Sequence, residues 1–154
     1  MNRRRMSVTT ALLTVAVLSA VPSQAAPKPK PIKGTYTVNL TPDPTANVFT
    51  TAGQAKLCGV GVPGSQHRQA FKVPAAGILK LVLDAEDPRP GTPYVFDWDI
   101  YLLDTTDNAL GEGTTGEAHE EVVTTFKKAQ SVVFLTCNLN GQPKGTVSYT
   151  FTYA

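Results

Sequence analysis

Two carboxylates stand two residues apart in Phe96-Asp97-Trp98-Asp99-Ile100-Tyr101-Leu102-Leu103-Asp104, and they are the side chains of this chain best placed to do chemistry. With a period of two, Asp97, Asp99 and Tyr101 share one face of a strand, while Trp98, Ile100 and Leu102 share the other. Hard oxygen donors of this kind suit calcium, which takes roughly six to eight of them. Asp84, Glu86 and Asp87 open the loop before that strand. The candidate calcium ligands are therefore Asp97, Asp99, Asp84, Glu86 and Asp87. Asp104 and Asp107 lie beyond the far end of the strand and could form a separate site. No EF-hand spacing is present, and the competing reading makes Asp97 and Asp99 the polar side of an exposed strand or acceptors for loop amides. Most aromatic residues sit at core-like spacings. Tyr94 and Tyr101 are the two that could contact a sugar or polypeptide at the surface.

Other chemistries find little support. Of the two histidines, His67 and His119, the second opens His119-Glu120-Glu121, which lacks the second histidine of a zinc-protease motif. Ser131 and Ser148 fall in strand-like segments rather than in nucleophile elbows. Neighbours such as Asp97 and Asp99 on one strand do not flank a glycosidic bond from opposite sides. No histidine or basic residue adjoins Cys58 or Cys137 to activate a thiolate. An enzyme is not expected.

Eleven of the twelve acidic residues lie between Asp84 and Glu121, where Arg89 is the only Lys or Arg. Such asymmetry marks either a cation site, a basic partner, or a solvated face that keeps a small protein soluble. The chain begins Asn2-Arg3-Arg4-Arg5, turns apolar from Ala11 to Val21 and continues Pro22-Ser23-Gln24-Ala25-Ala26. That is the layout of a secretory signal peptide over residues 1–25, cleaved after Ala25 or one residue later. Its apolar run is shorter than the ~20 residues that span a bilayer. The residues after Arg4-Arg5 make a poor twin-arginine signal, so general secretion is the expected route, and no membrane attachment is expected after cleavage. Without Arg3, Arg4 and Arg5 the balance is 11 basic against 12 acidic residues, and the apparent pI of 8.6 is a property of the precursor. A nucleic-acid ligand loses its electrostatic footprint. In an oxidising compartment, Cys58 and Cys137 are expected to form one disulfide, which would contribute roughly 4–5 kcal/mol by loop closure.

The elements that position these residues read as strands. Pro27-Lys28-Pro29-Lys30-Pro31 is a solvated, extended spacer within a linker over residues 26–34. Period-two alternation then predicts strands over Thr35–Leu40, Arg68–Val73, Ile78–Leu83, Val95–Leu103, Glu120–Phe126, Val132–Asn138 and Thr146–Tyr153. Shorter ones are expected around Ala55–Val60 and Ala109–Leu110. Val132–Asn138 is apolar on both faces, as in a central strand. Asn140-Gly141 predicts a hairpin-type connection. No helical periodicity of useful length occurs. The fold class is all-β: a single antiparallel β-sandwich of about eight strands over residues 35–154.

Gln69-Ala70-Phe71-Lys72-Val73-Pro74-Ala75-Ala76-Gly77-Ile78-Leu79-Lys80-Leu81 resembles the opening of the bacterial pre-peptidase C-terminal (PPC) domain. Asp97-Trp98-Asp99-Ile100-Tyr101-Leu102 is similar to that family's D-x-D-[LI]-Y-[LV] strand, and Ala129-Gln130-Ser131-Val132-Val133-Phe134 stands where the family has A-G-x-Y-x-[VL]. Gln130 replaces the usual glycine and Val132 the aromatic; residues 34–65 have no counterpart. The resemblance implies a jelly-roll-like sandwich, an accessory to secreted enzymes, some of whose relatives bind calcium or extracellular polymers.

The sequence thus points to a secreted, monomeric, non-catalytic module for an extracellular polymer or protein, stabilised by calcium at the acidic strand. The alternatives are a structural or interaction protein of the cell envelope, held near the wall by its Pro/Lys tail, and a secreted hydrolase or enzyme inhibitor.

Overall fold

The computed structural model describes residues 27–43, 63–86 and 97–154. Eight strands lie among them: β1 (Ile32–Asn39), β2 (Gln66–Val73), β3 (Gly77–Ala85), β4 (Asp97–Leu103), β5 (Ala109–Gly113), β6 (His119–Phe126), β7 (Gln130–Asn140) and β8 (Lys144–Tyr153). They form two four-stranded antiparallel sheets, ordered β1-β8-β3-β6 and β2-β7-β4-β5. Apart from β4 and β5, each strand lies in the opposite sheet from its successor, which is the jelly-roll arrangement of a β-sandwich. The expected signal peptide and the expected strand at Ala55–Val60 lie outside the described residues.

The alternation read from the sequence is the alternation of the core. Leu79, Leu81 and Leu83 of β3 and Val147 and Phe151 of β8 face Trp98, Ile100 and Leu102 of β4 and Val132 and Phe134 of β7. Phe71, Phe134 and Tyr149 pack as a tilted aromatic triad, with ring centroids 5.1–5.6 Å apart. Between sheets the chain turns sharply at Ala75-Ala76-Gly77. A side chain at Gly77 would place its Cβ 2.3 Å from the Thr152 carbonyl and 2.5 Å from the Phe151 ring, so only glycine fits that corner.

Three boundaries differ from the sequence reading. Asn140-Gly141 does not close a hairpin: β7 and β8 belong to different sheets, and the turn carries the chain across the sandwich. β1 begins at Ile32, because Ile32, Lys33 and Gly34 pair with Phe151, Thr150 and Tyr149 of β8. β5 extends through the glycine-rich Gly111-Glu112-Gly113, a segment of poor strand propensity that β4 supplies with hydrogen-bonding partners.

One buried side chain ties several segments to the central strand β7. Asn138 is fully buried and donates from Nδ2 to the Leu40 carbonyl at 3.0 Å and to the Gln142 carbonyl at 3.1 Å. Its backbone N–H donates to Ser65 at 3.1 Å, and its carbonyl accepts from Asp43 N–H at 3.0 Å. Asn138→Ala strips both side-chain bonds from a dry site and is expected to lower stability by about 2–3 kcal/mol in urea unfolding. A loss within error of zero would show that these segments hold without it.

Candidate functional site

Strand β4 decides where the acidic residues go. Its inner side chains enter the core, but its outer face is also covered: Tyr101, Leu103, Leu135, Cys137 and Leu139 form a second buried apolar cluster there. Asp99 sits on that outer face opposite Cys137 and is only 7% exposed. The expectation of an open acidic strand is therefore corrected. Tyr101, read as a surface contact, is buried, and its hydroxyl donates to Asp99 Oδ2 at 2.9 Å. A bulge between Asp97 and Trp98 breaks the register with β7, and Asp97 is left half-buried.

Two further carboxylates join this pair through other strands. Glu112 of β5 lies directly across from Tyr101. Glu120 of β6 pairs with Leu83 and so points into the sandwich with Val122, where it is 1% exposed. Glu120 Oε1 accepts from the Thr115 N–H at 2.7 Å and from the Thr115 hydroxyl. Glu120 Oε2 is buried without a hydrogen-bond partner. It lies against Gly113, where a Cβ would come within 3.0 Å of it. The Trp98 backbone N–H donates to the Glu117 carbonyl at 3.2 Å and fastens the start of β4 to the β5–β6 connection. A cleft of about 510 Å³ opens at this end, lined by Glu112, Gly113, Thr115, Glu117, His119 and Glu120 among others.

Burial and mutual repulsion act on the protons held here. Burial pushes the Asp99 carboxyl up to about 7; the Tyr101 hydrogen bond opposes this, and Asp97, Glu120 and Glu112 add to it. Asp97 is raised by burial and then by Glu120. Tyr101 is raised by its burial and by the Asp99 charge beside it.

Five other acidic residues are engaged in other ways. Asp84 meets His119 Nδ1 at 2.6 Å, Glu86 meets Lys144 Nζ at 2.7 Å, Glu121 meets Lys80 Nζ at 2.6 Å, and Asp107 pairs with Arg68. Asp104 builds the β4–β5 turn by accepting from Thr106 and Asn108, bonds that hold its carboxyl well below the usual range, Asn108 contributing most. It is a turn residue rather than half of a second ion site. Of the calcium set, Asp97 and Asp99 stay neighbours, Asp84 and Glu86 have basic partners, and Asp87 lies outside the described residues, as does Tyr94. Among the described residues no three His, Cys, Asp or Glu side chains are grouped to hold a metal. Cys137 is fully buried, no free cysteine occurs among the described residues, and Cys58 lies outside them.

The sequence reading missed Glu112 and Glu120. Glu120 carried a usable signal, since it shares strand parity with the core residues Val122 and Phe126. Glu112 carried none. No protein-family model and no curated protein matches the chain.

The raised Asp99 carboxyl makes stability depend on pH in a definite direction. Its folded value lies above the unfolded one, so its contribution is complete below about pH 4 and is lost as pH rises through about 7. Asp99→Asn keeps an acceptor for Tyr101 and removes the charge. The variant is expected to exceed the wild type in stability at pH 8 by on the order of a few kcal/mol, with the gap closing by pH 4. Urea unfolding of both proteins across that range checks this, and a gap independent of pH would overturn it.

Proposed function

We propose that this protein is an exported, non-catalytic binding module for an extracellular polymer or protein, with its ligand seated at the acidic β5–β6 end. The observation that carries the reading is the cleft there: the carboxylates of Glu112, Glu117, Glu120 and Glu121 line it, Asp97 and Asp99 interact electrostatically with them, and of these six only Glu121 has an ion-pair partner among the described residues. A rigid jelly roll with charges held at one end is suited to recognition. The amino-terminal pattern of Arg3 to Ala25 supports export. So does Cys137, which we pair with Cys58 in a disulfide, as suits an oxidising compartment. The resemblance to PPC domains, which rests on the quoted residues alone, agrees with a role beside secreted enzymes.

Co-sedimentation of the purified protein with insoluble polysaccharide, cell-wall and fibrous-protein suspensions tests the binding reading. Retention on at least one of them, reduced by Glu112→Gln together with Glu117→Gln, is the expected result. Passage through all three, with the protein recovered from the wall fraction of its own cells, would favour a structural envelope role. Reduction is expected to lower the melting temperature and to release two thiols, and two free thiols before reduction would remove the disulfide.

A further inference from the structure

The chemistry of the cleft says what kind of group it takes. Building on the binding-module reading, we propose that the β5–β6 cleft receives the guanidinium of an arginine-bearing polypeptide segment rather than a metal ion.

Charge supplies the first part of the argument. Glu120 is nearly inaccessible, holds one carboxylate oxygen on Thr115 and leaves the other without a partner. A buried carboxyl oxygen without a partner is costly, and among the described residues no basic side chain pairs with Glu120 or with its neighbours Asp97, Asp99 and Glu112. His119, the one titratable nitrogen on the cleft wall among the described residues, faces Asp84 instead. Lys80 is held by Glu121, which also lines the cleft.

Shape decides which cation. Calcium needs roughly six to eight oxygens converging within about 2.6 Å of one point. The described carboxylates are not grouped that closely, and a cleft of about 510 Å³ is far larger than an ion. It falls in the range of sites for organic groups, roughly 300–1,000 Å³. Arginine presents five N–H donors in one plane on a long stem and can address carboxylates that are set apart from each other. Glu112 and Glu117 are exposed and meet it first. Glu120 lies behind them and acts through its field, which the low-dielectric interior leaves poorly screened. Thr114 and Thr115 add hydroxyls at the rim, and Gly113 adds no bulk.

Titration of the purified protein with hexa-arginine, hexa-lysine and a Gly/Ser hexapeptide at about 50 mM salt tests this, with calcium chloride as a separate arm. Hexa-arginine is expected to bind most tightly and the Gly/Ser peptide not at all. Glu112→Gln with Glu117→Gln should weaken hexa-arginine about tenfold. Asp107→Lys changes net charge by the same two units at the far end of β5 and should leave binding nearly unchanged. Both sets of substitutions are at exposed positions, and a thermal melt confirms the fold. Equal weakening by Asp107→Lys would reduce the effect to overall charge and overturn the proposal. Absence of hexa-arginine binding would also overturn it, as would a preference for hexa-lysine. So would a calcium-induced rise in melting temperature that Asp99→Asn abolishes, since it would assign the cluster to a metal. Co-sedimentation with the polymers reports separately whether the binding-module reading survives any of these results.

Discussion

Strand β4 is buried on both faces, and the acidic end of the molecule is a consequence of that burial. Trp98, Ile100 and Leu102 are drawn into the sandwich, while Tyr101 and Leu103 are covered on the other side with Leu135 and Cys137. A strand that carries Asp99 between such neighbours cannot leave its carboxylate in water. The protein then holds charge in a low-dielectric place, where a proton or a counter-cation matters far more than it would on an open surface. The Tyr101 hydroxyl relieves part of the cost and leaves the repulsion from Asp97, Glu112 and Glu120.

The fold separates two groups of acidic residues. At exposed edges Asp84, Glu86, Asp107 and Glu121 find His119, Lys144, Arg68 and Lys80, and such contacts contribute little to stability individually. At the end where β4, β5 and β6 come together, Asp97, Asp99, Glu112 and Glu120 find, among the described residues, one another and neutral donors. The jelly-roll connection is responsible for this. It places β4 and β5 in one sheet and β6 in the other, so Glu120 looks across the interior toward residues that are distant in sequence. Gly113 leaves room for that carboxylate, and Thr115 anchors it.

Much of the fold was legible because burial on one face leaves a period of two. Leu79, Leu81 and Leu83, or Val147, Tyr149 and Phe151, could be placed inward from spacing alone. Val132 to Asn138, apolar on both faces, reads as the central strand that β7 is. The partners of those strands left no such trace. β5 is a glycine-rich strip made into a strand by the edge of β4, and the turn at Asn140-Gly141 has hairpin residues but joins two sheets. Local turn chemistry describes the bend and is silent about which sheet receives the next strand.

The class of fold, the inward residues of most strands and the crowding of acidic side chains between Asp84 and Glu121 follow from residue order alone. Each of these is written in the order and type of neighbouring residues, which is the range over which period and composition act. Which carboxylates meet depends on how the two sheets come together. Asp84 and Glu86 lie close to Asp97 along the chain yet face His119 and Lys144, whereas Glu120 reaches Asp97 and Asp99 from another sheet. Burial of the outer face of β4 was likewise beyond local reading, because a side chain's exposure depends on what the rest of the fold lays over it. Coulomb energy and desolvation depend on distance in space and on the surrounding medium, and neither quantity exists until the two sheets have closed on each other.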